Sequence, residues 1–390
     1  MEKTWRWFGK KDPITLDMLR QIGVEGIVTA LHDVPNGEIW TLEAINELKN
    51  YIEAAGLRWS VVESLPVSES IKYGGADRDL LLENYKISLA NLGKAGIKTV
   101  CYNFMPVIDW IRTDLNYKLV DGTSTLYFDK IRFAYFDCYI LNRAGAENDY
   151  SSEEMKQVHE LNKTISEAEK ENLVQTIIVK TQGFVNENFK GNVQKPVELF
   201  NQLLALYHGI DKTQLRENLK YFLQSVIPAA EKCGVNMCIH PDDPPFPVLG
   251  LPRIVGNSED IEWILNAEKS PNNGLTFCAG SLSAGLHNQV TELAERFAKR
   301  THYVHLRSTD VSGDGNFIEA SHLEGRGHLI DLVRIFERVN PNLPMRIDHG
   351  KLMLDDVDKP YNPGYSFLGR MYALAQVSGV MATVRDEMKR

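Results

Sequence analysis

Cysteine is scarce in this 390-residue chain: there are five, an odd number with no paired spacing. That excludes a disulfide framework and indicates a reducing compartment. Long apolar runs are also missing. No stretch approaches the ~20 residues that cross a bilayer, and the first twelve residues, MEKTWRWFGKKD, lack the apolar segment of a signal peptide. The expected location is cytoplasmic, with no membrane partner. There is no basic surplus either, since 43 Lys and Arg stand against 52 Asp and Glu for a net charge of −9. Nothing neutralises a phosphate backbone at that balance, so nucleic acid is not an expected partner. An anionic small molecule is still admissible, because a few local arginines suffice to hold one. Neither a GxGxxG or Walker loop nor a CxxC pair occurs, and nucleotide cofactors receive no support. No internal repeat or low-complexity tract appears.

What is present is a rhythm. Strand-like runs at Thr4–Phe8, Gly26–Leu31, Leu57–Val62 and Thr99–Asn103 alternate with helical patterns at a period of roughly 30 residues. One of these helices has Thr41 placed as its cap, with Ala44, Ile45, Leu48 and Ile52 spaced for one buried face; another runs from about Asp79 to Lys94 and is closed by Gly96. The rhythm stops at about Pro106 and resumes at Thr213. In between lie short β-like pieces (Ser124–Ile131), a charged helical pattern over Ser152–Ile178 and a Gly/Asn/Lys patch near Gly191. Four further strands follow: Val235–His240, Leu275–Cys278, His302–Arg307 and Met345–Gly350. Four βα units plus four predict an α/β fold, a (β/α)₈ TIM barrel. It would be a single domain over residues 1–390, with a long, partly helical insertion after the fourth strand (106–212) capping or walling the pocket.

Each of the last four strands ends in a potential metal ligand: His240, Cys278, His305 and Asp348. Parallel barrel strands open their C-terminal ends onto one face, so the four should meet in space. Taken singly, each has an ordinary structural explanation, such as a hydrogen-bonded His or a small buried Cys; their common level on successive strands is what points to a site. Side chains alternate along a strand, so His302 and His305 face opposite ways. Parity does not choose between them, and we take His305 because it lies nearer the strand end. Asp348 and His349 are adjacent, so His349 must lean inward from the start of the loop if Asp348 binds metal. A His₂/Cys/Asp set accepts Zn²⁺, Mn²⁺ or Fe²⁺. At the same rim Arg307 is placed to hold a carboxylate, Asp242 and Asp243 follow His240 in HPDDPP, and Asp310–His328 reads as a mobile loop over the mouth.

Together these stretches resemble the D-mannonate dehydratase family of the xylose-isomerase-like TIM-barrel superfamily, over essentially the whole chain. The resemblance is carried by RWFG (Arg6–Gly9), ALHDVPNGEIW (Ala30–Trp40), VVESLPV (Val61–Val67), CYNFMPVIDWIRTDL (Cys101–Leu115), CIHPDDPP (Cys238–Pro245), FCAGSL (Phe277–Leu282), HLRS (His305–Ser308) and RIDHG (Arg346–Gly350). It implies a lyase of hexuronate (glucuronate) catabolism that converts D-mannonate to 2-dehydro-3-deoxy-D-gluconate and water. It also implies Mn²⁺ or Fe²⁺ at His240, Cys278, His305 and Asp348, and acid–base roles for His349 and for a Tyr in the last loop, Tyr365 rather than Tyr361. We take His349 as acid and Tyr365 as base; a tyrosine base needs its pKa lowered from roughly 10. Substrate contacts are expected at Arg307 and Asp242. A metal-dependent sugar isomerase or epimerase on the same barrel is the alternative reading. The insertion is long enough to cap the pocket, to mediate a homodimer, or to do both.

Overall fold

The computed structural model describes residues 1–183 and 194–390; the patch near Gly191 lies outside them. Eight parallel strands close into a barrel. They are β1 (Glu2–Arg6), β2 (Gly26–Thr29), β3 (Arg58–Glu63), β4 (Thr99–Tyr102), and, after the hairpin β5 (Asp114–Lys118) and β6 (Ser124–Phe128), β7 (Asn236–Ile239), β8 (Asn273–Cys278), β9 (Thr301–Leu306) and β12 (Pro344–Ile347). Around the barrel the order is β1-β12-β9-β8-β7-β4-β3-β2, so sequence neighbours pair and β12 closes on β1. The remaining short strands β10 (Thr309–Val311) and β11 (Phe317–Glu319) belong to the loop after β9.

The helices form where amphipathic spacing and capping agree. Leu42–Ala54 buries Ile45, Leu48 and Ile52, and the Thr41 side chain accepts the Ala44 N–H at its start. Such a cap contributes about 1 kcal/mol. Lys212–Cys233 starts at an Asp211 cap and buries one face through Leu215, Leu219, Phe222, Val226 and Ala230 before Gly234 turns the chain in the left-handed region. The final helix, Phe367–Glu387, returns to the first strand. Arg370 there donates to the Arg6 carbonyl (3.2 Å) and Arg385 to the Met1 carbonyl (3.0 Å).

Register decides what reaches the mouth. Cys278 pairs with His305 across β8–β9, and His305 pairs with Arg346 across β9–β12. Two residues further down the inward face, Cys238 and Tyr303 join Val28, Val61 and Cys101 in a separate buried cluster. That cluster fills the barrel interior and leaves the ligand-bearing level as the floor of the pocket.

Two further segments follow the C-terminal ends of barrel strands β4 and β9. The segment between β4 and β7 supplies the β5–β6 hairpin and helices including Lys130–Tyr135, Ser152–Thr164 and Glu167–Val174. The Asp310–His328 stretch is not a free loop: β10 pairs with β11 and β11 with β6 in a four-stranded antiparallel sheet ordered β10-β11-β6-β5. Phe317 of β11 stacks on Phe128 of β6, with ring centroids 5.0 Å apart. Backbone pairing and apolar stacking together tie this stretch down, a cross-sheet partnership its polar composition did not announce.

Candidate active site

The strand ends deliver the expected donors to one place. Among the described residues, one ligand atom each from His240, Cys278 and His305 lies within 4.8 Å of the other two. His240 Nδ1 sits 2.7 Å from the Pro241 carbonyl. A carbonyl only accepts, so Nδ1 carries the proton and Nε2 keeps its lone pair. That nitrogen faces His305 Nδ1 at 3.1 Å. The other nitrogen of His305, Nε2, is 3.5 Å from Glu63. The Cys278 sulfur accepts from Ser281 Oγ (3.1 Å) and lies 3.8 Å from Asp348 Oδ2, which is 4.0 Å from His305 Nδ1. This convergence of electron-pair donors in a buried floor fits a divalent cation.

β12 ends at Ile347, which is how adjacent residues both serve the cavity: Asp348 and His349 each line it from non-strand backbone. Burial opposes ionisation of Asp348, but Arg346 (2.5 Å), with His349, Arg307 and His305, holds its carboxyl well below the usual range. Glu63 is likewise held low against burial, chiefly by Arg346 and His305. His302, by contrast, points away and meets the Pro271 carbonyl at 2.9 Å.

Arg307 is buried in an ion-pair cluster. It donates to Asp243 (2.5 Å), Ser281 (3.1 Å) and His349 Nδ1 (2.8 Å), with Glu319 at 3.3 Å. Arg112, from the segment after β4, joins the same carboxylates at 2.9 Å (Asp243) and 2.6 Å (Glu319). Burial would raise Asp243 and Glu319, yet the two guanidinium groups prevail. Asp243 falls below the ordinary range and Glu319 is pushed down to about 2. Gly280 makes the packing possible, since a Cβ there would sit 1.8 Å from Arg307 Nε. Gly364, with φ +81, does the same for His349, where a Cβ would come within 2.9 Å of the ring.

Asp242 is not brought to the cavity. Its Oδ2 accepts the Val255 N–H (2.7 Å) and Oδ1 faces Arg253 at 3.5 Å, while its neighbour Asp243 lines the pocket. Tyr365 does line it, with its ring edge-on to His349 at 5.2 Å between centroids; Tyr361 is not among the lining residues. Trp110 packs tilted against the same imidazole, with ring centroids 5.1 Å apart.

Sequence reasoning missed Arg346, Arg112 and Glu319 and preferred Asp242 to Asp243. Strand parity with Asp348 was a signal for Arg346. No local signal existed for Arg112 and Glu319, which meet across 207 positions.

The model of the D-mannonate dehydratase (UxuA) family matches residues 1–390. The chain is 48% identical over 392 residues to a mannonate dehydratase of Marinomonas sp. (strain MWYL1), covering 97% of this chain and 98% of that one. It is 45% identical over 395 residues to a mannonate dehydratase of Chromohalobacter salexigens, covering 99% of each. The crystal structure of mannonate dehydratase from Streptococcus suis serotype 2 superposes with a TM-score of 0.78 at 36% identity, over 100% of this chain and 96% of that one.

Proposed function

The chain belongs to the D-mannonate dehydratase family, and from that premise we propose that it is a hydro-lyase converting D-mannonate to 2-dehydro-3-deoxy-D-gluconate and water, in cytoplasmic hexuronate breakdown. The observation that carries the reading is the convergence of His240, Cys278 and His305, with Asp348 beside them, next to the proton-exchanging pair His349 and Tyr365. Those four residues would hold a divalent metal ion, which we take to be Mn²⁺ or Fe²⁺. When bound, it supplies Lewis-acid stabilisation of the negative charge that develops as C2 loses its proton.

The remaining work falls to the protein's side chains. With His349 Nδ1 accepting from Arg307, Nε2 carries the ring proton and is the nitrogen left to exchange it with substrate. Tyr365 is the second proton carrier, and one of the pair must take the C2 proton while the other protonates the departing 3-hydroxyl. Burial raises the Tyr365 phenol and Asp348 and Glu63 add to this, while Arg346 and Arg6 oppose it; the net direction is upward. Base duty for Tyr365, the division expected from sequence, therefore needs more positive charge than these two arginines supply. Trp110 and the ion-pair cluster around Arg307 hold His349 in place, so its proton is exchanged at a fixed position.

The test is product identity. Metal-loaded protein incubated in parallel with D-mannonate, other aldonates, aldoses and ketoses should yield a 2-keto-3-deoxy acid from D-mannonate. Interconversion of sugars without loss of water would favour an isomerase or epimerase instead.

A further inference from the structure

Three arginines line the cavity, and two are committed to protein carboxylates. Arg307 serves Asp243, Glu319 and His349. Arg346 makes hydrogen bonds of 3.0 and 3.1 Å to Glu63 and one of 2.5 Å to Asp348. The third, Arg6, is the last residue of β1 and only 7% exposed. Its Nη1 is buried without a hydrogen-bond partner, and no carboxylate among the described residues forms an ion pair with it. What the guanidinium touches is the face of Phe8, 4.9 Å from the ring centroid.

The nearby carboxylates are otherwise engaged. Asp12 accepts the backbone N–H groups of Phe8 (2.8 Å) and Ile14 (2.9 Å), and Glu63 is held by Arg346 and by the Tyr303 hydroxyl (3.2 Å). A buried guanidinium without an anion is costly to keep, and it is tolerated where a ligand completes the pair. Stacking on an aromatic face leaves the planar edge of an arginine available for two-pronged recognition of a carboxylate. Phe8 also packs edge-on against Tyr365, with centroids 5.0 Å apart, so an anion held by Arg6 lies beside the proton-exchanging pair.

We propose that Arg6 is the specificity-determining contact for the carboxylate of the sugar acid. The inference rests on the dehydratase reading and moves to Arg6 the contact that sequence assigned to Arg307. The carboxylate borders C2, so pairing it also offsets the charge that accumulates when C2 is deprotonated.

The test compares wild type, Arg6→Met and Arg6→Lys in the metal-loaded protein. Turnover of D-mannonate is followed with KM and kcat resolved, its binding by calorimetry, and the melting temperature without substrate. Losing a charge-assisted pair should raise KM and Kd for D-mannonate about 10- to 100-fold in Arg6→Met, with Arg6→Lys in between. Because the removed charge forms no ion pair among the described residues, the substrate-free melting temperature should hold or rise. A KM and Kd within twofold of wild type in folded Arg6→Met overturns the assignment, and so does a lowered melting temperature with unchanged binding. If Arg6→Met does not fold, Arg6→Lys carries the same comparison. The two readings fail separately. A wild type that binds D-mannonate through Arg6 without turning it over sinks the dehydratase reading alone, whereas active wild type with an indifferent Arg6→Met sinks the Arg6 assignment alone. Wild type that neither binds nor converts D-mannonate overturns both.

Discussion

Asp243 bridges two buried arginines, and replacing it by asparagine gives the sharpest structural perturbation available at the site. Its carboxylate accepts from Arg112 at 2.9 Å and Arg307 at 2.5 Å, with Ser281 at 3.2 Å. Asp243→Asn keeps the shape and removes the charge, which leaves Arg112 with Glu319 alone and Arg307 with Glu319 and Asp348 (3.4 Å). Breaking one partner of a buried ion pair costs about 3–5 kcal/mol. At roughly 2.1 cal/mol/K of unfolding entropy per residue, a chain of 390 residues unfolds with about 0.8 kcal/mol/K, so the melting temperature should fall by about 4–6 °C. Melting should be followed by circular dichroism on chelator-treated protein, because a bound metal adds its own stabilisation. Turnover should fall as well, since the anchored Arg307 fixes His349 Nδ1. Asp242→Asn serves as the comparison, as that residue holds Val255 outside the cavity and its loss should spare kcat. An Asp243→Asn protein that melts within 1 °C of wild type at unchanged kcat would refute the argument that this cluster anchors the site.

Three further outcomes follow from the same geometry. His349→Asn should retain metal yet lose turnover by about 10²-fold or more, checked by metal analysis alongside steady-state kinetics; near-normal activity would remove His349 from the reaction. Cys278→Ser should weaken metal binding, and full occupancy at sub-stoichiometric metal supply would make Cys278 a packing residue only. His322 is held neutral by burial, its pKa lowered to about 4. Its folded value is the lower one, so the unfolded chain takes up the proton first as pH falls. Stability is complete above about 6.5 and declines between there and 4, by about 3 kcal/mol at most. His322→Gln should flatten that part of the urea midpoint against pH, and an unaltered slope would contradict the account.

The barrel was legible because two local signals coincide. Alternating βα periods located all eight barrel strands, and caps such as Thr41 located helix starts. Boundaries drifted where polarity misled. The first strand begins at Glu2 rather than Thr4, because Glu2 and Lys3 pair with Pro344 and Met345 while their side chains stay half-exposed. The last strand stops at Ile347, a detail that puts both Asp348 and His349 on the cavity. The gathering of His240, Cys278 and His305 could be read from strand ends because barrel topology converts equal level into proximity. Arg112 and Glu319 could not, since their meeting depends on β6 pairing with β11 across the mouth. Nor does sequence distinguish Asp243 from Asp242, whose roles are set by the direction of one loop.

The central claim is that the donors at the barrel mouth hold a metal ion on which dehydration of D-mannonate depends. The most direct measurement strips the purified protein with chelator, adds back Mn²⁺ or Fe²⁺, and follows D-mannonate for the appearance of a 2-keto-3-deoxy acid. The account predicts no product from the stripped protein and restored product with metal. Folded protein that takes up metal at this site and still yields no 2-keto-3-deoxy acid would contradict it, as would full activity without any divalent ion.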